Sequence, residues 1–216
     1  MYFVKTPKIA RSILKEAVWN IPNNDRRIFL TFDDGPTPSI TNQTLDILKK
    51  HKIKATFFCL GSQVEKHPEL FNRIIDEGHA VGNHSYSHLK GWNTNNDKYL
   101  KDVRKGEAII KSNLFRPPYG KIKRSQVNSL SPETKIILWD VLPGDFSRKT
   151  NVEKIVSNTL NSVEAGSIIV LHDNLDCGDK MIAALPIIID KLKEKKYCFP
   201  PITENILSSS KSLRNN

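Results

Sequence analysis

The sequence predicts an α/β fold, a single domain built on a parallel sheet, and three observations carry that prediction. Short apolar runs rich in β-branched and aromatic residues alternate with longer segments of helical periodicity. Seven such runs occur without a Gly-x-Gly-x-x-Gly fingerprint, which favours a closed barrel over an open dinucleotide-binding sheet. Unusual polar residues gather just after the runs, where sheets of either kind place functional groups. A chain of 216 residues suits one domain with a substantial core.

The runs are taken in order. Residues 27–32 (Arg-Ile-Phe-Leu-Thr-Phe), 54–60, 79–82, 114–116, 135–141 and 167–171 (Ser-Ile-Ile-Val-Leu) are predicted strands, with a weaker seventh at 197–199 (Tyr-Cys-Phe). Between them, helical periodicity predicts helices over 39–51, 62–77, 97–112, 125–130, 152–163 and 180–195. Residues 1–26 form an extension expected to pack on the barrel, 27–207 the domain proper, and 208–216 a polar tail. Residues 174–179 read as a polar loop.

Bulk properties narrow the function classes. Hydrophobic residues make up 38% and charged residues 26%, an ordinary globular balance. Lysine and arginine number 33 against 23 acidic residues, a net charge of +10 that would attract anionic partners. The basic residues are scattered, however, and no aromatic-interleaved basic motif supports nucleic-acid binding. Three cysteines, Cys59, Cys177 and Cys198, are odd in number and form no Cys-x-x-Cys pair, so no disulfide framework is expected and a reducing compartment fits. Cys59 sits in an apolar run and reads as a small core residue. Residues 1–7 lack the apolar stretch and cleavage site of an export signal, and no apolar run approaches a membrane span. By sequence the chain reads as cytoplasmic.

Five strand ends carry chemistry. The first closes in Thr31-Phe32-Asp33-Asp34-Gly35-Pro36, paired carboxylates whose repulsion a cation or an arginine would offset; alone, a solvated turn explains them equally well. The third leads into His84-Ser85-Tyr86-Ser87-His88, two imidazoles four residues apart that can converge on one metal ion. The fourth leads into Arg116-Pro117-Pro118-Tyr119-Gly120, where the double proline fixes a rigid loop. The fifth carries Trp139-Asp140-Val141-Leu142-Pro143-Gly144-Asp145-Phe146. The sixth carries Leu171-His172-Asp173, a histidine that would serve acid–base chemistry if a carboxylate holds it. His51, His67 and His79 stand alone and read as surface or structural residues.

With these five motifs in this order, the chain resembles the polysaccharide deacetylase family, also called the NodB-homology domain or carbohydrate esterase family four. The resemblance spans residues 27–199. It implies a distorted (β/α)7 barrel and a hydrolase that removes N-acetyl groups from N-acetylglucosamine-containing glycans of peptidoglycan or chitooligosaccharide type. It further implies Asp34, His84 and His88 as ligands of one divalent metal, zinc first, with cobalt, nickel or iron also accepted by such a donor set. Asp33 becomes the general base, ionised beside Arg116, and His172 the general acid, kept charged by Asp145. The Tyr119 backbone N–H would help hold the oxyanion, and Trp139 and Leu171 would wall a pocket for the acetyl methyl. The fourth motif departs from the family pattern W-D-V-D-S-x-D-W: Leu142 replaces the second aspartate and Phe146 the last tryptophan, changes that bear on the pocket wall and substrate choice and leave Asp145 in place. Two alternatives stand beside this reading: the same chemistry on an O-acetyl ester or small amide, and a weakly active or non-catalytic glycan-binding domain. Family members commonly act in the periplasm or cell envelope. The implied partner is the N-acetylated glycan, without nucleic acid or a membrane span, and the chain is expected to be a monomer.

Overall fold

Phe29–Asp33 forms β1, in which every residue is buried, as expected of a central parallel strand covered on both faces. The computed structural model describes residues 2–212, the backbone alone at 211 and 212. After a short N-terminal helix, α1 (Lys8–Ile13), the order is β1, α2 (Pro38–Lys50), β2 (Thr56–Cys59), α3 (Gly61–Lys66), α4 (Pro68–Asp76), β3 (Ala80–Asn83), α5 (Asn96–Ile110), β4 (Leu114–Phe115), α6 (Arg124–Val127), β5 (Lys135–Ile136), α7 (Val152–Ser162), β6 (Ile168–His172), α8 (Gly178–Glu194) and α9 (Glu204–Ser212). The sheet runs β5-β4-β3-β2-β1-β6, parallel throughout.

The ring is closed by the chain just after β5. Its first part pairs with β4, and five residues later Val141 bridges in parallel to Ile169 of β6. One segment thus touches both sheet edges, and the result is a distorted, curled barrel rather than a regular one. Six strands form among the described residues, one fewer than the sequence predicts. The expected strand at 197–199 contributes a single bridge, Arg27 to Cys198. The expected strand at 135–141 is regular only at its first two residues, because the rest changes partners from one edge to the other.

The helices follow local rules. Pro38 opens α2 at the position where its missing N–H costs nothing. Asn95 and Asn151 cap α5 and α7 by accepting from Lys98 N and Lys154 N, each at 2.9 Å. The helix predicted over 62–77 is two helices: Pro68 forces His67 out of helical geometry (φ −134°, ψ 56°) and starts α4 afresh. The predicted tail is also corrected, since 208–212 continue α9; residues 213–216 lie outside the described residues.

Alternation along the strands separates the two faces of the sheet. Leu30, Phe32, Phe57, Ile169 and Leu171 face outward onto the helices, meeting Leu45, Leu48, Ile74, Met181 and Leu185. Phe29, Phe58, Leu114, Ile137 and Ile168 face inward, plugged by Ile202 and Leu207 from α9 and the segment before it. Each such side chain contributes roughly 1.5–3 kcal/mol by burial. Polar residues follow on the inner face toward the strand ends. The N-terminal extension lies across the closing segment: Lys5 bridges to Val141, and Asp140, fully buried, takes Lys5 Nζ at 2.5 Å, Arg11 and Ser167 Oγ. No helix among the described residues is long and apolar enough to cross a membrane.

Candidate active site

On β1 the inward positions are Phe29, Thr31 and Asp33, so Asp34 would point outward if the strand continued. It does not: Asp34 takes φ 83°, which turns its carboxylate back to the side of Asp33. Gly35 follows because a side chain there would strike Asp173, whose Oδ1 accepts from Gly35 N at 3.0 Å and whose Oδ2 accepts from Thr41. Burial pushes the Asp173 carboxyl up to about 7 against the pull of these hydrogen bonds.

Asp33 is buried and paired. Its Oδ1 lies 2.6 Å from Arg116 Nη1, whose guanidinium is fully enclosed. The same nitrogen donates to Thr31 Oγ1 at 2.7 Å, Nε to Ile137 O at 3.1 Å and Nη2 to Leu138 O at 3.2 Å, while the guanidinium lies 4.0 Å over the Phe58 ring. A charge buried this deeply requires such a complete set of partners. The other carboxylate oxygen, Oδ2, faces His84 Nε2 at 4.0 Å.

The two histidines meet Asp34. His84 follows β3, and its Nδ1 lies 2.7 Å from Arg116 O. A carbonyl only accepts, so Nδ1 carries the hydrogen and Nε2 presents a lone pair. Burial, partly countered by Asp33 and Asp34, lowers the ring to about 4, so it is neutral at pH 7. His84 Nε2 is 3.5 Å and His88 Nε2 3.1 Å from Asp34 Oδ1. That oxygen is buried and receives no hydrogen bond of good geometry: His88 Nε2 is close enough to donate only when its ring carries a proton there, and a cation between the rings would satisfy it fully. Burial alone would raise the Asp34 carboxyl, but the imidazoles of His88, His172 and His84 outweigh it and hold it well below the usual carboxylate range. Ligand atoms of Asp34, His84 and His88 all fall within 4.8 Å of one another. Two imidazole nitrogens and one carboxylate oxygen are the donors of a catalytic divalent-metal site.

His172 ends β6 and is the register partner of Asp33 on β1. Asp145, fully buried, accepts from His172 Nδ1 at 3.0 Å and from its backbone N at 2.7 Å. Burial works against the charged ring, yet Asp145, helped by Asp34 and Asp33, raises it to about 10. The base and acid candidates are therefore neighbours on adjacent strands, set by register alone.

The sequence of this chain matches the profile of the polysaccharide deacetylase family over residues 20–132. It is also 34% identical over 194 residues to a peptidoglycan-N-acetylglucosamine deacetylase of Bacillus cereus, covering 86% of this chain and 91% of the relative. The chain belongs to the polysaccharide deacetylase family. A chitooligosaccharide deacetylase of Rhizobium leguminosarum bv. trifolii is 34% identical over 158 residues, covering 70% of this chain and 73% of the relative. In three dimensions the chain is similar to a crystal structure of a peptidoglycan N-acetylglucosamine deacetylase in complex with 4-naphthalen-1-yl-N-oxidanyl-benzamide. That likeness has a TM-score of 0.83 at 34% identity, covering 91% of this chain and 95% of that one.

Around this deacetylase-family centre, Tyr119 sits on the turn after β4 with φ 60°, its half-exposed ring 4.6 Å from His88. Trp139 lies against Gly120, where a Cβ would come within 2.8 Å of the indole. Leu171 is the one predicted site residue that is placed elsewhere. Alternation on β6 turns it outward into the helix-facing core, and Val170, two residues before His172, shares the inner face instead. Asn174, which by sequence opens a polar loop, donates from Nδ2 to Asp34 Oδ2 at 2.7 Å. It had only its place two residues after His172 to mark it. Thr31 and Asp173, which brace Arg116 and the Asp34 turn, carry no signal in the sequence beyond membership of their motifs.

Proposed function

We propose that this chain is a metal-dependent N-deacetylase acting on N-acetylglucosamine-containing glycans of peptidoglycan or chitooligosaccharide type. The observation that carries the reading is the buried, unpartnered Asp34 Oδ1 between two imidazole nitrogens, with Asp33 and His172 beside it on neighbouring strands. Asp34, His84 and His88 would hold a divalent ion, zinc first, which supplies polarisation of the acetyl carbonyl and a more acidic water.

The chain's own groups do the proton work. Asp33, one oxygen fixed by Arg116, takes a proton from the attacking water through its free Oδ2. Water oxygen bonds to the acetyl carbon as the carbonyl opens to an oxyanion, toward which the Tyr119 backbone N–H is directed in this reading. His172, its Nδ1 held by Asp145, gives its Nε2 proton to the amide nitrogen as the C–N bond breaks. Acetate and the sugar amine remain. In this reading Trp139, and Val170 on the inner face with His172, would flank the methyl group.

The test is acetate release from N-acetylglucosamine oligomers and from peptidoglycan fragments, with and without a chelator. Release that disappears with chelator and returns with zinc supports the reading. Release indifferent to chelation, or none from either substrate, overturns it.

A further inference from the structure

Asp34 is held from behind. Its Oδ2 receives Asn174 Nδ2 at 2.7 Å, while its Oδ1 faces the two histidines. The amide's own orientation is fixed by the loop before α8. Asn174 Oδ1 accepts from Asp176 N at 3.0 Å, Cys177 N at 3.2 Å and Cys177 Sγ at 3.1 Å. Three donors on one side settle which end of the amide is oxygen, so the NH₂ must point to Asp34. The loop is tied down further by Gly178 N donating to Asn174 O at 2.9 Å. Cys177 is buried, free, and takes no part in the proton transfers above.

We infer that Asn174 is a positioning residue for the metal ligand Asp34: it occupies Oδ2 and leaves Oδ1 as the single oxygen offered to the ion. A carboxylate free at both oxygens can chelate through both and consume a coordination position. One pinned at Oδ2 binds through one oxygen and keeps positions open for water and the substrate carbonyl, the requirement of a catalytic site. Cys177 acts one step further back, holding the amide that holds the carboxylate. The inference rests on the proposed metal site and deepens it.

Zinc affinity of the purified full chain, read by competition against a chromophoric chelator, tests the inference without any turnover. Asn174→Ala removes both ends of the amide. Asn174→Ser keeps a short acceptor for the 176 and 177 N–H groups but cannot reach Asp34. Both variants are expected to bind zinc about 10–100-fold more weakly than wild type, because ordering an unanchored Asp34 carboxylate at the ion costs more than a second, strained oxygen contact returns, with the melting temperature of the metal-free Asn174→Ser chain unchanged. Wild-type affinity in both variants overturns the inference. So does a loss confined to Asn174→Ala and accompanied by a lower metal-free melting temperature, since the amide would then only shape the loop. A wild-type chain that takes up no zinc removes the metal site itself, and this inference with it, a result plainly different from tight binding unaltered by substitution.

Discussion

Replacing Asp145 by asparagine separates the charge of the His172 partner from its shape. The native carboxylate accepts twice, from His172 Nδ1 at 3.0 Å and from its backbone N at 2.7 Å. An amide has one acceptor end; if its oxygen keeps the backbone N–H, its NH₂ meets Nδ1 and favours a ring with a lone pair there. Burial then acts unopposed by Asp145, and the imidazole falls from about 10 to its ordinary 6.5 or below. A drop of that size is on the order of 4–5 kcal/mol of proton affinity. At pH 8 a ring with the native value is about 99% imidazolium and one at 6.5 about 3%, a loss of roughly 30-fold in the acid form. A cation on Asp34 draws the native value down somewhat, so the difference between the two proteins is the quantity to read. Profiles of kcat/KM against pH for acetate release should show the alkaline limb of Asp145→Asn displaced to lower pH, with the deficit shrinking toward pH 5.5. The stability consequence has a definite sign. The folded value is raised, so its contribution is complete below about 6.5 and lost as pH climbs through about 10. The gap in melting temperature between wild type and variant should therefore narrow over that window. An alkaline limb at the same pH in both proteins would refute the assignment of His172 as an acid tuned by Asp145.

Asp33→Asn should lower turnover by about 10²–10⁴-fold while the protein still takes up zinc, checked by acetate release beside metal analysis. Arg116→Met strands a buried carboxylate and should cost about 3–5 kcal/mol in denaturant unfolding; Arg116→Lys should recover only part, because a lysine cannot serve Asp33, Thr31, Ile137 O and Leu138 O together. Gly120→Ala adds a methyl within 2.8 Å of the Trp139 indole at φ 62° and should shift tryptophan fluorescence and raise KM, with the metal still bound.

The sequence exposed the chemistry more clearly than the geometry that delivers it. Strand ends were legible because the five polar motifs interrupt apolar runs, and β1, β2 and β6 form within two residues of their predicted limits. What could not be read is what depends on distant partners. The run at 135–141 is apolar throughout, yet it shares itself between β4 and β6, a choice fixed by the ring and not by the run. The family resemblance places Leu171 in the acetyl pocket, but adjacent strand residues face opposite sides, and with His172 inward Leu171 turns to the helices. Asp33 and Asp34 escape that same rule only through a positive φ at Asp34, which no pattern of residue types announces. Asn174 reaches Asp34 across 140 positions of sequence. The break at Pro68, by contrast, was there to be read.

The two departures in the fourth motif make sense once the N-terminal extension is considered with them. Leu142 is buried, and its N–H donates to Val4 O at 2.8 Å, so an aspartate there would lie under a strap of chain with its charge to satisfy. Asp140, fully buried beneath that strap, already engages Lys5, Arg11 and Ser167. Phe146 packs edge-on to His172 at 5.5 Å and to Tyr2 at 5.0 Å, while the Tyr2 hydroxyl fills the space beside Gly144 that any Cβ would need. The loop carrying Asp145 is thus clamped from the N-terminal side by residues far from it in sequence. A chain whose residues 2–6 pack on the loop that orients His172 can dispense with a second aspartate and an indole there. The departures from the family pattern are therefore changes in how the loop beside His172 is held, and they leave Asp145 and its two hydrogen bonds to His172 in place.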